Sequence, residues 1–120
     1  MIKLIRLALG GLIVSADRLT RGPKLKRPEE QQREVERQVK SLALYQFSLC
    51  PFCVKVRRKM HKLNLPIEIR DAKSQGTFRD ELLNGGGKIK VPCLRIETQQ
   101  GARWMYESSD INRYLEREFG

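Results

Sequence analysis

The most informative stretch of the sequence is ALYQFSLCPFCVKVRRKMHKL, which spans residues 43–63. Its apolar run Ala43–Phe47 is typical of a buried strand, and residues 52–63 carry apolar side chains at helical spacing. The motif Cys50-Pro51-Phe52-Cys53 lies where the two patterns meet. We therefore predict a strand that leads directly into a helix, with two cysteines at the start of that helix.

Further elements follow this unit in regular alternation. They are strand Ile67–Ile69, helix Thr77–Leu83, strand Val91–Ile96, strand Arg103–Tyr106 and a final helix that Ser108 or Ser109 caps and that ends near Glu118. A strand-helix-strand unit predicts a parallel pair with a right-handed crossover, and the closing hairpin adds antiparallel strands. We predict an α/β domain over residues 41–120, with a mixed four-stranded sheet and helices on both faces.

The two motif cysteines are suited to different chemical roles. Cys50, at a helix N-terminus, faces unpaired backbone N–H groups and the positive end of the helix dipole, which stabilise a thiolate. Pro51 fits the first helical turn because it needs no N–H partner there. Cys53 lies one turn further on, where its sulfur can attack a mixed disulfide formed on Cys50. We predict Cys50 as the nucleophile and Cys53 as the resolving thiol.

Residues 42–119 resemble the glutaredoxins, in which a Cys-Pro-aromatic-Cys turn joins a strand to a helix. A second matching motif is Val91-Pro92, whose counterpart in that family contains a cis proline beside the active-site disulfide. The resemblance implies a thioredoxin-like fold and glutathione-dependent thiol-disulfide oxidoreductase activity on disulfide-containing proteins. It implies glutathione as co-substrate with no tightly bound cofactor, and glutathione contacts from Pro51, Phe52, Val91 and Pro92.

A third motif, Glu107-Ser108, stands at the start of the last predicted helix. It is similar to the acidic or amide residue followed by serine that holds the γ-glutamyl end of glutathione in glutathione transferase N-terminal domains. A helix N-terminus with a serine hydroxyl suits a carboxylate, and a neighbouring carboxylate suits an ammonium group. The all-helical domain of those transferases does not follow residue 120, so we expect no transfer to electrophiles.

The chain departs from the glutaredoxin pattern just before the motif. Many glutaredoxins carry a lysine there, whereas this chain has Gln46-Phe47-Ser48-Leu49. We expect positive charge for the thiolate and glutathione to come from elsewhere, with Lys88 and Lys90 as candidates.

Alternative readings of the cysteines remain open at this point. Cys93 suits a small buried core residue, and a redox or metal role is its alternative. A zinc site from Cys50, Cys53, Cys93 and His61 is disfavoured because only one CxxC pair is present, and we predict no metal ligands. A glutathione-binding or iron–sulfur module without redox turnover is the remaining alternative, which Pro51 and Cys53 disfavour.

Residues 1–40 form a predicted extension to this domain, with an amphipathic helix, a basic linker and a charged helix Glu29–Lys40. The apolar face of the first helix recurs at helical spacing and comprises Ile2, Ile5, Leu9, Leu12 and Leu19. The net charge of +10 is shared by both regions and favours anionic partners. We predict peripheral membrane association through residues 1–27 at the inner face of the membrane, with a cytoplasmic location and no nucleic-acid partner. A self-packed helix, or a signal peptide cleaved after Ala16 with a periplasmic location, is the alternative.

Overall fold

A computed structural model describes Ile13 and residues 22–120 of the protein. Its elements are helix α1 (Glu29–Gln38), a 3₁₀ turn (Val39–Ser41), strand β1 (Leu42–Gln46), helix α2 (Pro51–Lys62), strand β2 (Glu68–Asp71), helix α3 (Thr77–Glu81), a π turn (Leu82–Gly86), strand β3 (Cys93–Thr98), strand β4 (Gly101–Met105) and helix α4 (Ser108–Phe119). The order of strands and helices agrees with the order predicted from the sequence.

The four strands form one sheet in the order β2-β1-β3-β4. Strands β1 and β2 are parallel, and β3 runs antiparallel to both β1 and β4. The predicted thioredoxin-like fold with a mixed four-stranded sheet and helices on both faces is confirmed. The predicted start of β3 at Val91 is two residues too early, because Pro92 has no N–H to donate to the ladder.

Strand β1 is buried along its whole length because both faces of the sheet are covered. On one face, Leu44 and Leu94 pack in a cluster with residues of α2 and α4, including Val56 and Leu115. On the other face, the buried cluster contains Ala43, Tyr45, Ala72, Leu82 and Cys93. This two-sided burial holds the end of β1 firmly against the start of α2.

The segment before the domain also packs against it. Val39 is buried in the core, and the Leu25 N–H donates to the Lys62 carbonyl at 2.9 Å. The side chain of Gln32 donates to the Asn64 carbonyl at 3.0 Å, and Arg27 donates to the Phe119 carbonyl. Residues 25–39 are therefore docked on the ends of α2 and α4, although helix α1 itself contains no buried residue. The division into regions 1–40 and 41–120 stays a prediction.

The predicted amphipathic helix lies outside the described residues, apart from Ile13. Within the part of the chain that the structure describes, no helix is long and apolar enough to cross a membrane. The predicted membrane association is not tested by these residues.

Candidate active site

The sheet brings the three predicted site motifs to one of its ends. Tyr45 of β1 lies opposite Cys93 of β3, and Leu94 lies opposite Met105 of β4. Because β3 is antiparallel to both neighbours, the end of β1, the start of β3 and the end of β4 lie at the same end of the sheet. The chain therefore places the cysteine motif, Val91-Pro92 and Glu107-Ser108 around that end of the sheet.

Cys50 occupies the N-cap position of α2 in an extended conformation. Its N–H donates to the Phe47 carbonyl at 3.2 Å, and its own carbonyl accepts the first helical bond, from Val54 N–H, at 3.0 Å. Pro51 follows at the first helical position, where its missing N–H leaves no helical bond unmade. The Cys50 side chain is half-buried, so its sulfur is held at the helix N-terminus and is still accessible.

Cys53 is fully buried one turn further along the helix. Burial raises the pKa of the Cys53 thiol from its ordinary value of 9.0 to about 12, although a hydrogen bond from the Phe47 backbone opposes the shift. A hydrogen bond with the Cys50 side chain raises the pKa further. Cys53 is therefore a protonated donor to the Cys50 sulfur, and all three cysteines are free thiols.

Arg57 supports the motif from within the same helix. Its guanidinium donates to the Ser48 carbonyl at 2.8 Å and to the side-chain oxygen of the buried Gln46. Its charge also lowers the pKa of Cys53, against the larger effect of burial. Arg57 was not predicted as a site residue, although its place four residues after Cys53 puts both on one helix face. A positive charge thus reaches the motif from its C-terminal side rather than from a preceding lysine.

The second motif directly precedes β3 at the same end of the sheet. The peptide bond between Val91 and Pro92 is cis, as the resemblance implied. Pro92 is buried and Val91 is half-buried at the entrance to β3. Burial raises the pKa of the next residue, Cys93, to about 12, whereas a hydrogen bond with Tyr106 and the charge of Lys88 lower it. Cys93 is accordingly a buried core thiol, in line with the first of its two predicted roles.

Glu107 and Ser108 stand where β4 passes into α4. Glu107 is the N-cap residue, in place of the predicted Ser108 or Ser109, because its extended backbone precedes the helix and its carbonyl accepts Ile111 N–H at 2.9 Å. No side chain caps this helix, so the N–H groups of its first turn are not used by a cap. The exposed Glu107 carboxylate accepts a bond from Lys90 Nζ at 3.0 Å. The junction of β4 and α4, the α4 corner, thus brings together a carboxylate, an ammonium group and a helix N-terminus.

In the part of the chain that the structure describes, the residues of the zinc alternative do not form a ligand set. Among the described residues, no three histidine, cysteine or acidic side chains lie together as a metal site. His61 instead lies near the end of α2, where its Nε2 is 3.0 Å from the Gly22 carbonyl oxygen.

Two of the solved structures to which the chain is similar are glutaredoxins. Oxidized glutaredoxin 2 from Chlamydomonas reinhardtii is 18% identical over 75% of this chain and 86% of that chain, with a TM-score of 0.49. Wheat glutaredoxin is 17% identical over 74% and 84%, with a TM-score of 0.48. No curated protein matches the chain.

A match to a protein family covers the whole candidate site. The profile of the family described as "Glutathione S-transferase, N-terminal domain" matches residues 44–120. This range contains the last three residues of β1, every later element through α4, and all three predicted site motifs. The chain therefore belongs to the family of glutathione S-transferase N-terminal domains.

Proposed function

We propose that this protein is a glutathione-dependent thiol-disulfide oxidoreductase that reduces mixed disulfides of proteins and glutathione. The observation that carries the proposal is the pairing of Cys50 and Cys53. One thiol is accessible at a helix N-terminus, and the other is buried, protonated and hydrogen-bonded to it. This asymmetry defines which sulfur attacks and which resolves.

The reaction begins when the Cys50 thiolate attacks the glutathione sulfur of a protein–glutathione disulfide. A sulfur–sulfur bond forms between Cys50 and glutathione, and the protein thiolate leaves and takes up a proton. A second glutathione thiolate then attacks the bound glutathione sulfur, which releases glutathione disulfide and restores the Cys50 thiolate. The incoming glutathione is thereby oxidised to the disulfide level as the substrate protein is reduced to a thiol, and the glutathione that came from the substrate stays at the disulfide level throughout.

Cys53 offers a second route for the same intermediate. After it loses its proton, its sulfur attacks Cys50, forms the Cys50–Cys53 disulfide and expels glutathione as thiolate. Two further glutathione molecules reduce that disulfide. The high pKa of Cys53 makes its thiolate scarce near neutral pH, so we expect the route through a second glutathione to dominate.

Groups at this end of the sheet are chemically complementary to the parts of glutathione. The backbone of Val91, beside Pro92, suits the glutathione cysteine, and Pro51 and Phe52 flank the sulfur that it must reach. The Ser108 end of α4 suits the γ-glutamyl carboxylate, and Glu107 suits the ammonium group. Lys90, already paired with Glu107, adds positive charge for a peptide with two carboxylates.

The test is turnover of a glutathione mixed disulfide, with glutathione and glutathione reductase as the source of electrons. We expect Cys50→Ser to abolish turnover and Cys53→Ser to keep a substantial part of it, because a second glutathione resolves the intermediate. Equal loss in both variants would indicate a dithiol cycle. Activity in Cys50→Ser would overturn the assignment.

We also propose that residues 1–27 hold the enzyme at an anionic membrane surface in the cytoplasm. The support is the predicted apolar face of this segment and its seven basic residues, which combine apolar burial with electrostatic attraction. In a sedimentation assay with anionic vesicles, we expect salt-sensitive binding by the full chain and weaker binding by Ile5→Glu/Leu9→Glu. Equal binding, or an exported protein that begins at Asp17, would contradict the proposal.

A further inference from the structure

One face of helix α2 carries a row of basic side chains that starts at the redox motif. Pro51, Lys55, Arg58 and Lys62 are all exposed, and their spacing of four, three and four residues places them on one side of the helix. We call Lys55, Arg58 and Lys62 the basic stripe. Helix α2 contains no acidic residue, so its own sequence does not neutralise the stripe.

Among the described residues, the neighbouring elements leave the charges of the two lysines of the stripe, Lys55 and Lys62, uncompensated. Lys59, at the flank of the stripe, pairs with Glu116 of α4 at 3.1 Å. The Lys55 ammonium lies 5.4 Å from the centre of the Phe52 ring, a contact that leaves its charge in place. Within residues 22–120, no carboxylate forms an ion pair with Lys55 or Lys62. The stripe is therefore a local concentration of the positive charge that the whole chain carries.

The stripe forms one wall of a groove. The groove has a volume of about 530 Å³, and Gly22 and Pro23 line it together with the basic stripe. Along the groove, from Lys55 to Lys62, the helix rises roughly 10 Å, at about 1.5 Å per residue, which matches about three residues of extended chain. A groove of this length and charge fits a short acidic segment of polypeptide.

The groove begins at Lys55, and the contact of Lys55 with the Phe52 ring connects it to the redox motif. Pro51 follows Cys50 directly, and Phe52 exposes 55% of its surface beside it, which offers an apolar contact next to the reacting sulfur. We infer that the protein substrates of this enzyme carry an acidic segment beside the disulfide and that the basic stripe binds it. This inference rests on the proposed function. A bilayer is the less suitable occupant, because a flat surface does not enter a groove and would obstruct Cys50.

The experiment compares two peptides that carry the same glutathione mixed disulfide on a central cysteine, followed by five glutamates or by five lysines. At low ionic strength we expect the full-length protein to favour the acidic peptide in kcat/KM by about tenfold, as several exposed ion pairs acting together would give. The preference should fade at 0.5 M salt. In Lys55→Glu/Lys62→Glu the preference for the acidic peptide should disappear or invert. Because the two peptides are compared within one variant, any change in the reactivity of Cys50 cancels.

The matched control is Lys40→Glu/Arg117→Glu, which changes the net charge equally. Lys40 precedes β1 and Arg117 lies near the end of α4, so both are at the end of the sheet opposite Cys50. We expect this variant to keep the acidic preference. Equal use of the two peptides by the unaltered protein, or an unchanged preference in Lys55→Glu/Lys62→Glu, would overturn the inference. So would loss of anionic vesicle binding by that variant with its peptide preference intact, which would assign the stripe to a membrane.

A neutral mixed disulfide of glutathione and 2-mercaptoethanol separates the two proposals. Turnover of this substrate without any charge preference among peptides would reject the acidic-segment inference alone. No turnover of this substrate or of either peptide would reject the proposed function itself.

Discussion

The two buried thiols make the stability of this protein sensitive to alkaline pH. Cys53 and Cys93 are each 0% exposed, and burial raises the pKa of both from 9.0 to about 12. Between these values the folded protein keeps two protons that the unfolded chain has released. The free energy of unfolding must therefore fall as the pH rises through this window, and the contribution of the thiols is complete only below pH 9.

The size of the effect follows from the two pKa values. Raising the pH from 8 to 10 moves the unfolded thiol from mostly protonated to mostly ionised, while the folded thiol stays protonated. This change lowers the free energy of unfolding by about 1.4 kcal/mol for each thiol, or roughly 2.7 kcal/mol for both. Replacing Cys93 by alanine should remove about half of that fall.

The assay is urea unfolding at pH 8, 9 and 10 with a reductant, followed by far-UV circular dichroism. The comparison is between the unaltered protein, Cys93→Ala and the control Val56→Ala, which removes buried volume without a titrating group. Val56→Ala should lower stability similarly at every pH and keep the full slope. If Cys93→Ala also keeps the full slope, the Cys93 thiol ionises near its ordinary pKa in the folded protein and the reasoning is refuted.

Two further predictions concern the redox motif and the α4 corner. Near neutral pH, iodoacetamide should modify the native protein once, at Cys50, because Cys53 is fully buried. Peptide mass spectrometry identifies the modified residue. An adduct on Cys53 before denaturation would contradict its burial. Glu107→Ala and Ser108→Ala should each lower kcat/KM for glutathione by about tenfold, the loss expected for one charge-assisted contact, and should change the unfolding free energy little because no side chain caps α4. Reduced stability with unchanged kinetics would show that the pair is structural only.

Much of the fold could be predicted because its signals are local. The apolar run before Cys50 and the helical spacing after it are properties of adjacent residues, so they predict β1 and α2 to within one residue at each end. The glycines that follow Asn84 likewise end the helical segment, since Gly87 adopts φ 90° in the left-handed region. Pro51 likewise predicts that a helix begins directly after Cys50, because proline suits the first helical position.

The sequence by itself thus determined the order of elements, the sheet they form and the two cysteines that share a helix N-terminus. Only the tertiary structure decided that Arg57 turns back to Gln46 and Ser48, that Cys93 meets Tyr106, and that residues 25–39 dock on the ends of two helices. Those contacts join residues that are distant in the chain or on different elements. Periodicity records which face of an element is apolar, whereas the partner of a polar side chain is set by which elements the fold brings together.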